Sequence, residues 1–191
     1  MLGKLPAGIG HALRGVRAGY EKIVAEREGF AQVADVIALE SPAFEDGGSI
    51  PIRYTADGEG VSPPLRWSGP IAEAPAAALI VEDPDSPSPR PLVHLLVWDL
   101  SADRCELPEG QLASPGHAGL DETLGRNSNL HAAWIPPDPP PGHGPHLYVF
   151  QIFALDRKLD FARPPTRARL VRAMLGHVTA KAVLVGTYER P

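Results

Sequence analysis

Residues 139–150 read PPPGHGPHLYVF and join a rigid turn to the start of an apolar strand. Proline fixes its backbone φ and glycine permits φ > 0, so the first part of the stretch predicts a tight bend. Alternate residues of a strand share one face, which places His146 and Tyr148 on the same side. An imidazole and a phenol so placed can both donate hydrogen bonds to an oxyanion. Taken alone, the stretch fits an ordinary turn and strand equally well.

Upstream, two carboxylates follow a second apolar run. The chain reads Asp83-Pro84-Asp85-Ser86-Pro87 directly after ALIVE at residues 78–82. In such a kinked turn one carboxylate can face a cavity while the other accepts hydrogen bonds from backbone amides. The spacing by itself favours a plain turn over a binding site.

A histidine, His94, stands just before the apolar residues 95–98. An imidazole at the head of an apolar strand is most often a core histidine that has found a partner, and less often a ligand or an acid-base group. This position therefore indicates no function when it is considered alone.

The rest of the sequence predicts a mainly β protein with short helices. Apolar or alternating runs separated by turn residues predict strands at 33–39, 50–54, 77–81, 92–100, 147–155 and 182–188. The long segment 102–145 is a candidate functional loop. A late helix is expected over 166–177, with Thr166 as its cap, Leu170 and Leu175 facing inward and Gly176 near its end.

The N-terminal residues predict an amphipathic helix over 2–24, because apolar residues recur there at intervals of three and four. Residues 1–27 carry five Lys or Arg against two Glu, on a chain whose formal net charge is -5. The helix could pack on its own domain, bind an anionic membrane surface or form a homodimer. We therefore expect a helical extension over 1–30 and a β domain over 31–191.

Composition excludes several classes of protein. The acidic balance predicts no affinity for nucleic acid. The single cysteine, Cys105, rules out an internal disulfide, fits a reducing compartment and is expected to be buried and inert. The sequence has no apolar run long enough for a transmembrane segment and lacks the apolar core of a signal peptide, so we expect cytoplasmic residence.

Six sequence elements together resemble the phosphatidylethanolamine-binding protein family, in its bacterial Raf-kinase-inhibitor-like branch. They are IPIRYTADG at 50–58, SPPLRW at 62–67, DPDSP at 83–87, His94, GHGPHLY at 142–148 and GTYER at 186–190. The resemblance implies a large antiparallel sheet packed on a smaller one. It also implies a shallow anion pocket for phosphate or phosphorylethanolamine, lined by Asp83, Asp85, His94, His146 and Tyr148.

The sequence departs from the family pattern at two places. Leu147 stands where the family commonly has Arg, although this residue should point away from the face that its neighbours share. Pro136-Pro137-Asp138 replaces glycines, which removes amide donors and adds Asp138 as a sixth candidate ligand-binding residue. The neighbouring loop could supply Arg126 or Asn127 to the pocket rim, although a solvated loop is the simpler interpretation.

The resemblance favours non-enzymatic binding of a small phosphorylated or zwitterionic ligand, with regulation of a partner protein as a further role. We expect no cofactor, no metal and no catalytic residue. Two alternatives stay open: a metal-assisted hydrolase that uses Asp83, His94 and His146, and a kinase or protease inhibitor that acts through its surface.

Overall fold

A computed structural model describes residues 6–101, 104–112 and 123–190. Within these residues, seven strands form two antiparallel sheets. The larger sheet has the order β4-β3-β6-β7, and the smaller has the order β1-β2-β5. The strands are β1 (Ala38–Glu40), β2 (Leu65–Ser68), β3 (Ala76–Asp83), β4 (Leu92–Leu100), β5 (Glu106–Leu107), β6 (His146–Leu155) and β7 (Val178–Tyr188). The predicted mainly β, two-sheet architecture is confirmed.

Both faces of the larger sheet are buried, and strand alternation decides which side chain faces which layer. Odd-numbered residues of β3 and even-numbered residues of β6 pack towards the smaller sheet, where Leu65, Trp67 and Leu107 meet them. The opposite residues pack against residues 23–30 and helix α2 (Arg167–Met174). The molecule therefore has three layers with a core on each side of the central sheet.

Two buried charged side chains fix residues 23–31 to the central sheet. Glu82 accepts hydrogen bonds from the backbone N–H of Val24 (2.8 Å) and the Arg167 guanidinium (2.5 Å). Lys181 Nζ donates to the carbonyls of Ala25 (3.0 Å), Phe30 (3.0 Å) and Ala31 (3.2 Å). These bonds satisfy groups that would otherwise be costly to bury.

The N-terminal helix is shorter than the sequence predicted. Helix α1 covers Ala7–Leu13, and 3-10 turns follow at Tyr20–Lys22 and Val24–Glu26. The expectation for residues 2–5 lies outside the described residues. Gly15 and Gly19 follow α1, and Gly19 has φ +107°, a backbone conformation that ends a helix.

Several local predictions were wrong. Residues 52–54 form a 3-10 turn after Pro51 instead of a strand, and the strand expected over 33–39 is confined to 38–40. Thr166 precedes α2 but makes no side-chain capping bond, and Leu175 is 52% exposed because the helix has already ended at Met174. Cys105 is exposed, because it lies just outside the short edge strand β5.

No helix in the described part of the chain is long and apolar enough to cross a membrane.

Replacing Lys181 by Met tests the polar attachment of residues 23–31. The substitution leaves three carbonyls without their charged donor, so we expect the free energy of unfolding to fall by roughly 2–3 kcal/mol. Urea denaturation followed by circular dichroism measures it. Lys158→Met is the matched control at an exposed position. Equal midpoints for the two variants would contradict this role of Lys181.

Candidate functional site

The candidate pocket forms where the end of β3 meets the start of β6. Glu82 of β3 lies opposite Val149 of β6 in the antiparallel register, so Asp83 comes beside the first residues of β6. His146 Nδ1 lies 2.8 Å from Asp83 Oδ2. The second oxygen of Asp83 accepts the backbone N–H of Asp85 at 2.8 Å. The turn after β3 thus holds the carboxylate in a fixed position.

A β-bulge in β4 directs His94 towards this pocket. Val81 of β3 pairs with Leu95, but the next residue, Glu82, pairs with Val93, so His94 is an extra residue in the ladder. A bulge re-aims a side chain relative to strict alternation. As a result His94 lies on the same side of the sheet as Tyr148, with ring centroids 5.1 Å apart and planes at 84°.

Two polar atoms of the pocket are buried and have no hydrogen-bond partner among the described residues. They are His94 Nε2 and the Tyr148 hydroxyl, although the backbone N–H of Asp138 lies near enough to the Tyr148 oxygen to act on its pKa. His94 Nδ1 lies 2.7 Å from the carbonyl of Ile135, which can only accept, so Nδ1 carries a proton. In the neutral ring Nε2 is then an acceptor. The pocket therefore offers a hydroxyl donor and an imidazole nitrogen that can accept or take up a proton.

Burial shifts the titration of both groups. It lowers the pKa of His94, although the nearby Asp83 carboxylate acts in the opposite direction. It also raises the pKa of Tyr148 well above the usual range, and Asp83 and Asp138 add to that effect. Near neutral pH both side chains are uncharged in the unliganded protein.

A third histidine, His143, extends the Asp83–His146 pair to the backbone of Leu13. His143 Nδ1 lies 2.8 Å from His146 Nε2, and His143 Nε2 lies 2.8 Å from the carbonyl oxygen of Leu13. The sequence pattern includes His143 within the GHGPHLY element but predicts no role for it. Its position inside that conspicuous turn was the signal that could have found it.

Three hydrogen bonds link Asp83 to Leu13 through His146 and His143, and each of them needs one proton. Two neutral imidazoles and an ionised carboxylate carry two protons, whereas three bonds ending on a carbonyl need three. Burial, together with His146 and Arg17, lowers the pKa of His143. The three hydrogen bonds therefore need one proton more than these neutral imidazoles and the ionised carboxylate supply.

Asp85 and Asp138 are tied by ionic contacts at the edge of the pocket. Asp85 accepts the Leu147 N–H at 2.8 Å and lies 2.5 Å from the Arg17 guanidinium. Asp138 accepts from Arg190 at 2.6 Å. Of the six predicted residues, Asp83, His94, His146 and Tyr148 come together, while Asp85 and Asp138 lie around them with cationic partners. Sequence reasoning missed Arg17, since nothing local relates it to the pocket, and it assigned no role to Arg190, although the GTYER element at 186–190 contains it.

The two departures from the family pattern have visible structural outcomes. Leu147 packs with the core on the other side of the sheet, as its place between His146 and Tyr148 predicted. The Asp138 carboxylate is compensated by Arg190, which also binds Asp57 at 2.5 and 2.7 Å.

The loop residues Arg126 and Asn127 have structural roles away from the four pocket side chains. Asn127 Oδ1 accepts the N–H groups of Asn129 and His131, and its side-chain amide donates to Ala133. Arg126 is exposed beside the start of α2. Among the described residues, no group of three His, Cys, Asp or Glu side chains is placed to hold a metal ion.

The fold and the site together define a two-sheet β protein with a buried cluster of histidine, tyrosine and aspartate side chains. The phosphatidylethanolamine-binding protein family matches residues 40–189, and the chain belongs to that family.

Similar proteins occur in archaea and bacteria. A UPF0098 protein of Methanothermobacter thermautotrophicus is 38% identical over 152 residues, covering 80% of this chain and 98% of its own. The crystal structure of a phosphatidylethanolamine-binding protein homologue from Chlamydia trachomatis is similar with a TM-score of 0.72 and 36% identity, covering 83% of this chain and all of its own. E. coli YbcL has the same TM-score at 26% identity, covering 81% of this chain and 99% of its own.

The lowered pKa of His94 predicts a loss of stability in acid. Above its ordinary pKa of about 6.5 the ring is neutral in both folded and unfolded chains. As the pH falls below that value the unfolded chain takes up a proton and the folded chain does not, so the free energy of unfolding decreases. His94→Gln removes this contribution, so we expect the free energy of unfolding to decline less steeply with falling pH. The contribution of His143, whose pKa is also lowered, remains.

Urea denaturation at several values between about pH 5 and pH 8 measures the decline. The control is His131→Gln, at an exposed position. Parallel pH profiles for native protein and His94→Gln would show that His94 is not buried as the neutral form.

Proposed function

We propose that the protein binds a small phosphorylated or zwitterionic ligand in this pocket without catalysing a reaction. The observation that carries the proposal is the pair of buried polar groups with an open hydrogen-bonding position: His94 Nε2, and the Tyr148 hydroxyl, whose proton has no acceptor among the described residues. A buried polar group without a partner is costly, and a bound oxyanion would relieve that cost. Membership of the phosphatidylethanolamine-binding protein family supports this class of ligand.

The chemistry of the pocket fits an anion that also carries, or brings, a proton. The Tyr148 hydroxyl donates to an anionic oxygen, and His94 Nε2 accepts from a P–OH group or takes up a proton as the anion enters. His146 and Asp83 hold a proton between them beside the same space. Phosphate and O-phosphorylethanolamine meet these requirements.

The surroundings favour a headgroup over long acyl chains. The four pocket residues Asp83, His94, His146 and Tyr148 are at most 3% exposed, and their immediate neighbours include charged side chains. A small polar cavity accommodates a compact charged group better than an extended apolar one. Regulation of a partner protein and cytoplasmic residence belong to the same proposal, the latter because a lone cysteine fits a reducing compartment.

The test is isothermal titration with inorganic phosphate and O-phosphorylethanolamine. Tyr148→Phe removes one hydroxyl and leaves the ring, so we expect the affinity to fall about 10- to 100-fold, the loss of one hydrogen bond to a charged group. His94→Gln should weaken binding as well. The matched control is Tyr20→Phe, since Tyr20 is 39% exposed and lies outside the pocket.

The metal-assisted alternative is separated by repeating the titration on protein treated with a chelator. Binding that survives chelation and is lost in Tyr148→Phe supports the proposal. Affinity that is equal in native protein and Tyr148→Phe, or that depends on added metal, refutes it.

A further inference from the structure

Residues that contact the two turns framing the candidate pocket lie outside the part of the chain that matches the family. Residues 6–19, which we call the N-terminal strap, precede the matched range 40–189. The strap carbonyl of Leu13 meets His143, and the strap guanidinium of Arg17 meets Asp85 and the Pro145 carbonyl, the latter at 3.1 Å. Its last two residues hydrogen-bond to the turn after β3, from Ala18 to Ser86 (3.1 Å) and from Gly19 to Pro84 (2.9 Å).

Helix α1 of the strap lies directly on the turn that leads into β6. A Cβ atom added to Gly10 would overlap the carbonyl oxygen of Pro141. In the same interface, a Cβ on Gly142 would lie 2.8 Å from His11 Nε2. This close approach to backbone requires glycine at position 10, and the neighbouring His143 and His146 have no exposed area.

The strap is attached by polar contacts at its edge rather than by a hydrophobic core. Ile9 and Val16, two of its largest apolar side chains, are 43% and 48% exposed. The Arg17 side chain is one-third exposed, and exposed ion pairs contribute little to stability. Segments with few buried apolar contacts open at low cost.

The residues that follow the strap are buried and firmly attached, unlike the strap itself. Ile23, Val24 and Phe30 are buried in the core, and the following segment is held by Glu82 and Lys181. Gly19, with φ +107°, lies between the weakly held strap and this firmly held segment. The strap can therefore lift as a unit while residues 23–31 stay on the sheet.

We propose that the N-terminal strap is an intramolecular cover that controls access to the ligand pocket. The proposal rests on the function proposed above, because the cover acts on that same site. In the docked state the Leu13 carbonyl accepts a hydrogen bond from Nε2 of His143 and so holds that ring in place. The Arg17 guanidinium forms an ion pair with the Asp85 carboxylate. Entry of a ligand from solvent requires the strap to move.

The structure provides a matched pair of substitutions in the full-length chain. Gly10→Ala places a methyl group against the Pro141 backbone and should lift α1, whereas Gly8→Ala in the same helix meets nothing within 4 Å. Both changes raise helix propensity equally, so only the steric overlap differs. Arg17→Gln, paired with Arg14→Gln, is the second test if Gly10→Ala folds poorly; these two variants are compared by histidine modification alone, because each change removes a trypsin site.

Two readouts need no ligand. Limited trypsin digestion at Arg14 and Arg17 reports whether the strap is docked, and diethyl pyrocarbonate modification of His143 and His146, mapped by mass spectrometry, reports access to the pocket. Exposed His131 is the internal reference. We expect both rates to rise about 10-fold in Gly10→Ala, equivalent to about 1.4 kcal/mol of lost docking, and to stay at the native value in Gly8→Ala.

Titration with O-phosphorylethanolamine then separates the two proposals. Faster modification together with tighter binding in Gly10→Ala supports both. Two outcomes overturn the proposed cover. One is faster digestion of Gly10→Ala with no change in the modification of His146. The other is faster digestion with no change in affinity, provided that the native protein binds O-phosphorylethanolamine. Faster digestion and modification with no binding by any variant supports the cover and overturns the ligand proposal.

Discussion

The structure depends on the alternation of two adjacent buried acids, Glu82 and Asp83, at the end of β3. Because successive strand residues point to opposite faces, Glu82 faces the helical layer and Asp83 faces the pocket. Each carboxylate is surrounded by donors, which is the condition for burying a charge. A register slip of one residue between β3 and its neighbours would exchange the two and dismantle both layers.

The pocket combines side chains that are held rigidly with polar atoms whose hydrogen-bonding capacity is not fully used. Asp83 and His146 are positioned by the turn after β3 and by the pairing of β3 with β6, and the bulge in β4 adds His94. Against this fixed frame, His94 Nε2 and the proton of the Tyr148 hydroxyl are left without partners among the described residues. A site with prearranged walls and a few open polar atoms spends little entropy on ordering when a small ligand binds.

The N-terminal residues show how tertiary contacts override local propensity. The regular spacing of apolar residues over 2–24 predicted one helix, but Ile23 and Val24 are drawn onto the sheet and Gly15 and Gly19 interrupt the segment. The residues before Gly19 contact the turns beside the candidate pocket, and the residues from Ile23 onward join the core. One sequence pattern thus divides into two parts with different stabilities.

The sequence by itself predicted the two-sheet architecture, most strands of the larger sheet and the proximity of Asp83, His94, His146 and Tyr148, because these follow from strand alternation, turn chemistry and family motifs of fixed spacing. Only the tertiary structure decided the neighbours of those residues. The bond from His143 to Leu13 spans 130 positions, and Arg17 and Asp85 are 68 residues apart in the numbering. Such contacts depend on how separate layers pack, and no local pattern records them. The same reason explains why Cys105 proved exposed and Leu175 faces solvent, since burial is a property of the whole fold.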